Sequence, residues 1–138
     1  QRLRLHRVCK CHLCRRCHQQ LSILDAAREN CAERVSELLE KYPELRHETD
    51  EDGLTALHWA ADRNATRALQ AALDGGCPVD VADDSGQTAL HYAASCGHIE
   101  STKILLNAGA SLLKDEDDST PLDLAADDDI RKVLEGAK

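Results

Sequence analysis

Apolar positions recur along this chain in short helical blocks separated by acidic, Gly-containing stretches. Leu57, Ala60 and Ala61 fall on one side of a helix, and Leu90, Ala93 and Ala94 repeat that arrangement. Thr55 and Thr88 stand where a hydroxyl can cap the helix start. Asn64 and Gly97 stand where it ends, and both tolerate the left-handed backbone of a tight turn. A second apolar block follows each turn, over 66–73 and 99–107, and Gly76 and Gly109 stop it. Between blocks lie Asp50-Glu51-Asp52-Gly53, Asp83-Asp84-Ser85-Gly86 and residues 114–118, whose turn chemistry predicts exposed, hairpin-like fingers. The expected fold is all-α, with stacked helix pairs rather than a sheet.

The blocks are copies of one another. Gly53-Leu54-Thr55-Ala56-Leu57-His58-Trp59-Ala60-Ala61 returns as Gly86-Gln87-Thr88-Ala89-Leu90-His91-Tyr92-Ala93-Ala94, with seven of nine positions identical at an offset of 33. A weaker third copy runs through Ser119-Thr120-Pro121-Leu122-Asp123-Leu124-Ala125-Ala126, one residue early. Ile23 to Asn30 fits the same first-helix slot upstream, with Ser22 as its N-cap and Asp25 completing a capping box. One such pair cannot bury its apolar face alone, but stacked neighbours can, and abundant Ala permits their close approach.

This period, carrying Thr-x-Leu-His-x-Ala, resembles the ankyrin repeat over about residues 22–135. Ala56 and Ala89 stand where that family prefers Pro, and Asp118 replaces the turn Gly. The resemblance implies an ankyrin solenoid of two full repeats plus partial flanking repeats, acting in protein recognition. A narrower resemblance rests on Ala27-Arg28-Glu29-Asn30, Leu57 to Arg63, Gly86 to Ala93, Lys114 to Asp117 and Ser119 to Leu124. These look like the ankyrin module that follows the acyl-CoA-binding domain in a eukaryotic family of acyl-CoA-binding proteins. It implies a longer parent that carries long-chain acyl-CoA, with no direct acyl-CoA contact from the residues present.

Composition sharpens the picture. The 138 residues include no Phe or Met, one Trp and two Tyr, so the core must be built mostly of Ala and Leu. Without Met, residue 1 is no translation start, and a processed form or fragment is expected. No apolar run approaches 18 residues, so no transmembrane segment is expected. Residues 1–24 hold six of the 17 Lys/Arg and no acid. The rest sets 11 Lys/Arg against all 25 Asp/Glu, a net of -14. That acidic domain would repel phosphates, so nucleic acid is excluded and a basic protein partner is expected.

The domain division is thus a basic, Cys/His-rich head over 1–20, expected to be disordered, and a repeat domain over 21–138. The head's Cys9, Cys11, Cys14 and Cys17, with His6, His12 and His18, are too crowded for a structural zinc knuckle. Soft-metal binding and S-acylation remain alternatives there. Cys31, Cys77 and Cys96 are scattered singly, which suggests free thiols in the cytoplasm, or alternatively the nucleus.

No Gly-rich phosphate loop, nucleophile elbow or paired carboxylate in an apolar setting is present, so neither enzymatic activity nor a cofactor is expected. His58 and His91 recur with the repeat, whereas an active site needs one constellation. They are read as structural, each bonding its capping Thr and the next finger. Trp59 and Tyr92 are likewise read as packing between repeats. The ankyrin resemblance implies partner contacts at finger tips and exposed ends of first helices. In the first full repeat these are Glu51, Asp52, Leu54, Asp62 and Arg63. Asp84, Ser85, Gln87, Ser95 and Cys96 follow in the next, then Asp117, Ser119, Asp127 and Asp128 in the last. Asp127 to Asp129 is expected to interrupt the final helix pair, leaving the C-terminal end to fray.

Overall fold

A computed structural model describes residues 22–136. Seven α-helices and one 3₁₀ turn make up the regular structure of that span, with no strand among the described residues. They are α1 (Ile23–Arg28), α2 (Ala32–Lys41), α3 (Ala56–Asp62), α4 (Thr66–Asp74), α5 (Ala89–Cys96), α6 (Ile99–Asn107) and α7 (Asp128–Gly136), and the 3₁₀ turn is Pro43–His47.

The helices stack in two rows. Inner helices α1, α3 and α5 pack successively, and outer helices α2, α4, α6 and α7 do the same behind them. Alanine makes this spacing possible. Ala26, Ala27, Ala60, Ala61, Ala93 and Ala94 are all fully buried, so only methyl groups occupy these positions where the helices pack. Larger side chains fill the layer behind: Ile23, Val35, Leu57, Leu69, Leu90, Leu105, Ile130 and Leu134 are at most 1% exposed. Within each pair, a left-handed residue turns the chain between helices, at Asn30 (φ 57), Asn64 (φ 53) and Gly97 (φ 77). Asn tolerates that region because its short amide bonds locally. Here the amides do more, since Asn30 Oδ1 accepts from Ala68 N at 3.1 Å and Asn64 Oδ1 accepts from Ser101 Oγ at 2.8 Å. The turns of the first two units are therefore each fastened to the outer helix of the next.

Each finger is built on one aspartate. Asp50 Oδ1 accepts from Asp52 N and Leu54 N at 3.0 and 2.9 Å. Asp83 Oδ1 does the same for Ser85 N and Gln87 N, and Asp115 Oδ1 for Asp117 N and Ser119 N. One backbone bond also closes each finger, from Asp50 N to Leu54 O at 3.0 Å, Asp83 N to Gln87 O at 2.9 Å and Asp115 N to Ser119 O at 3.0 Å, so the fingers are tight hairpin-like turns rather than paired strands. Fingers also bond to each other, Asp84 N to Asp52 O at 3.0 Å and Glu116 N to Ser85 O at 3.1 Å. Glycine is required at the bend for that approach. A Cβ on Gly53 would lie 2.8 Å from Asp84 Oδ1, and one on Gly86 2.9 Å from Glu116 N, at backbone φ of +82° and +78°. Asp118 takes the same place in the last finger at φ 65°.

The final unit departs from the expected helix pair. Residues 121–124 form a hydrogen-bonded turn, not a helix. Ala126 N donates across the unit boundary to Ala94 O at 3.0 Å instead of closing a helical turn within its own unit. Asp127 does not simply interrupt: its Oδ1 accepts from Ile130 N at 3.0 Å and caps α7. At the other end Ser22 caps α1 by accepting from Asp25 N at 3.3 Å. The reciprocal half of the expected capping box is replaced by a bond from Ser22 Oγ to Asp25 Oδ2 at 3.4 Å.

Candidate recognition face

The imidazoles of α3 and α5 tie the units together. His58 Nδ1 accepts from the N–H of Thr55 at 3.0 Å and lies 2.9 Å from its hydroxyl oxygen. Because a backbone amide can only donate, the proton sits on Nε2, which donates to Gln87 O of the next finger at 2.8 Å. His91 repeats this with Thr88 N at 3.0 Å and Ser119 O at 3.1 Å. Burial pushes the His58 pKa down, while the Gln87 carbonyl and the carboxylates of Asp83 and Asp50 pull the other way and lose. Both side chains are at most 1% exposed, so they serve the stack rather than a ligand. In the last unit Asp123 holds this slot and accepts from Thr120 N and Oγ1 at 2.9 Å each.

The inner face carries the exposed chemistry. Trp59 and Tyr92 are half-buried on α3 and α5, and each reaches back to its own finger. Trp59 Nε1 donates to Asp50 Oδ2 at 3.0 Å, and Tyr92 Oη donates to Asp83 Oδ2 at 2.5 Å. The rings thereby brace the fingers instead of only filling space between repeats. Burial raises the Asp50 pKa, but bonds from Leu54 N, Asp52 N and the Trp59 indole outweigh it, for a net lowering. Burial and the bond to Asp83 push the Tyr92 phenol well up. Asp115 is held low chiefly by the backbone bond from Ser119. A cation is held within this surface: the Arg28 guanidinium lies 4.4 Å from the Trp59 ring centroid and pairs with Asp25 at 2.8 Å.

The residues expected to meet a partner divide in two. Glu51, Asp52, Asp84 and Asp117 stand exposed at finger tips, and Arg63, Ser95 and Cys96 are exposed where α3 and α5 end. Asp62 is half-exposed beside them, accepting from Cys96 Sγ at 3.5 Å. Others serve the fold as well. Ser85 O and Ser119 O accept bonds from neighbouring units, and Gln87 Nε2 donates to Asp115 Oδ2 at 3.2 Å. Leu54 is half-buried, Asp127 caps α7, and exposed Asp128 opens it. The structure adds Asp25, Arg28, Trp59 and Tyr92 to the same face. Their recurrence beside a fixed finger aspartate was available in the repeat, but the stacking of Arg28 on Trp59 requires the fold.

Among the described residues no three His, Cys, Asp or Glu side chains converge to hold a metal ion. Nor is any described helix long and apolar enough to cross a membrane. The Cys/His-rich head, with its metal and S-acylation alternatives, lies outside the described residues. Cys77 and Cys96 are free thiols, while Cys31 is disulfide-bonded, correcting the expectation of three free ones.

Stacked helix pairs, left-handed turns and braced fingers define a helical-repeat scaffold. Comparison with known families is specific: the model for ankyrin repeats in three copies matches residues 23–115 and again 68–136. The chain belongs to the ankyrin repeat family, whose members generally serve as protein–protein interaction modules and are typically not enzymes. A similar curated protein is "Ankyrin repeat domain-containing protein SAT10" of Stachybotrys chartarum (strain CBS 109288 / IBT 7711). It is 33% identical over 93 residues, which cover 67% of this chain and 5% of that much longer protein.

Proposed function

We propose that the inner face of the stack recognises a basic protein. The observation that carries this reading is the concentration of acids on the fingers and α3 end, exposed Glu51, Asp52 and Asp84 with half-exposed Asp62, beside half-buried aromatic rings. Carboxylates already satisfied by backbone N–H groups, as Asp50, Asp83 and Asp115 are, hold the fingers rigid and leave these neighbours for a partner. Rigid acidic edges favour fast, salt-sensitive association with a cationic surface. Interaction, not catalysis, is the activity proposed. The test compares pull-downs at low and high salt using the chain and a variant with Glu51, Asp52, Asp62 and Asp84 changed to Ser. Basic proteins recovered by the chain, lost in the variant and weakened by salt are the expected result. Equal recovery by both proteins contradicts it.

We further propose that the module belongs to a longer protein whose separate domain binds long-chain acyl-CoA. Similarity of Leu57 to Arg63 and Ser119 to Leu124 to that family supports this reading. Acids on the inner face would repel CoA phosphates, so calorimetry of this chain with palmitoyl-CoA should give no binding heat. Saturable heat would make the repeats themselves the carrier.

A further inference from the structure

The inner helices repeat a position two residues before the left-handed turn, and its occupants differ in charge: Arg28 before Asn30, Asp62 before Asn64, Ser95 before Gly97. The first of these, Arg28, reaches the aromatic residue of the following unit, whereas the last unit holds Leu124 at the aromatic position. Arg28 lies over the Trp59 ring at 4.4 Å and is held by Asp25 at 2.8 Å, so the first unit supplies both a carboxylate and the cation it orients. One unit along, Tyr92 replaces Trp59, and the position of Arg28 is taken by Asp62. Asp62 reaches the face of α5 that carries Tyr92, its Oδ1 accepting at 3.5 Å from Cys96 Sγ, one helical turn beyond Tyr92. The aromatic platform and the acid are both present, but the cation is not supplied by the chain in the same way. Arg63 makes only a long contact to Asp62, at 3.9 Å, from a side chain 55% exposed. Tyr92 is fixed in place by its bond to Asp83 and by the edge of His58, whose ring centroid is 5.5 Å away.

We propose that Tyr92 and Asp62 form the seat for an arginine side chain of the basic partner, the counterpart of the Trp59 seat that Arg28 fills from within. This rests on the reading of the inner face as a surface for a basic protein. A guanidinium suits the seat better than an ammonium, since it stacks on a ring while its edge pairs with a carboxylate. A preset ring and acid lower the ordering cost of one inserted side chain.

The experiment is an NMR titration of the isotopically labelled chain with acetyl-Ser-Gly-Arg-Gly-Ser-amide, repeated with the Lys peptide. Expected are the largest shifts at Tyr92 and Asp62 and weaker binding of the Lys peptide. Tyr92→Leu should weaken the Arg peptide about 2- to 5-fold, the worth of one exposed cation–π contact. Tyr92→Phe keeps the ring but loses its bond to Asp83, so it should weaken the Arg peptide less than Tyr92→Leu does. Asp62→Asn leaves the packed ring untouched and should also weaken binding, so a misfolded Tyr92→Leu protein does not end the test. Shifts centred on Glu51, Asp52 and Asp84 that ignore all three variants overturn the seat and leave the acidic-face reading standing. No shift anywhere on the inner face overturns both.

Discussion

His58→Ala measures how strongly the units depend on their imidazole links. The substitution removes two bonds, Thr55 N–H to Nδ1 at 3.0 Å and Nε2–H to Gln87 O at 2.8 Å, from surroundings that are 4% exposed at Thr55 and 1% at His58. Each neutral bond contributes about 1 kcal/mol net, and leaving a buried donor or acceptor unpaired costs about 1–3 kcal/mol. Partial water entry into the vacated volume returns some of that, so the expected loss is about 3 kcal/mol, a large part of the ~5–15 kcal/mol of an ordinary domain. Equilibrium urea unfolding followed by circular dichroism at pH 7.5 measures it, with exposed His47→Ala as a control that should change little. The loss should shrink on acidification. Burial lowers the folded pKa below 6.5, so beneath pH 6.5 the unfolded chain takes a proton that folded His58 refuses. The parent loses that stability as pH falls, and the variant has none to lose there. A loss under ~1 kcal/mol at pH 7.5, or one independent of pH, would refute the argument.

Further outcomes follow from neighbouring geometry. Gly86→Ala should cost about 2–3 kcal/mol because strain at positive φ adds to a clash with Glu116 N, whereas Gly109→Ala meets nothing within 4 Å and should cost about 1 kcal/mol; the same unfolding assay ranks them. Hydrogen exchange should be fastest over 121–126 and α7, where a turn replaces the inner helix, and greatest protection there would contradict the account. Acid unfolding should steepen below pH 3.8, since finger bonds outweigh burial at Asp50 and hold its carboxyl low; an Asp50→Asn variant should lose that component. Burial lifts the Cys77 thiol to about 11 despite nearby Arg46, so peptide mapping after brief alkylation at pH 8 should find exposed Cys96 modified well before Cys77.

The repeat made most of the fold legible. Thr55, His58, Asn64 and Gly53 announce cap, link, turn and finger because each returns one period later as Thr88, His91, Gly97 and Gly86. Where copies diverge, the reading weakened. Ser119 to Ala126 kept the apolar pattern of an inner helix, but the bond from Ala126 N to Ala94 O is a tertiary event that no local spacing encodes. Acid-rich fingers looked uniformly exposed, yet Asp50, Asp83 and Asp115 turn inward to organise their loops while Glu51, Asp52 and Asp84 face solvent. Trp59 and Tyr92 were legible as packing residues, and their other roles, bracing fingers and offering ring faces, depend on contacts between units.

Zero-length carbodiimide coupling tests the central claim most directly, because it joins a carboxylate only to an amine in contact with it. Applied to complexes captured by the chain and read by mass spectrometry, it should link lysines of a basic partner to Glu51, Asp52, Asp62 and Asp84. Links confined to Glu37, Glu40, Asp74 and Glu100 on the outer row of helices would place recognition on the opposite face and contradict the account.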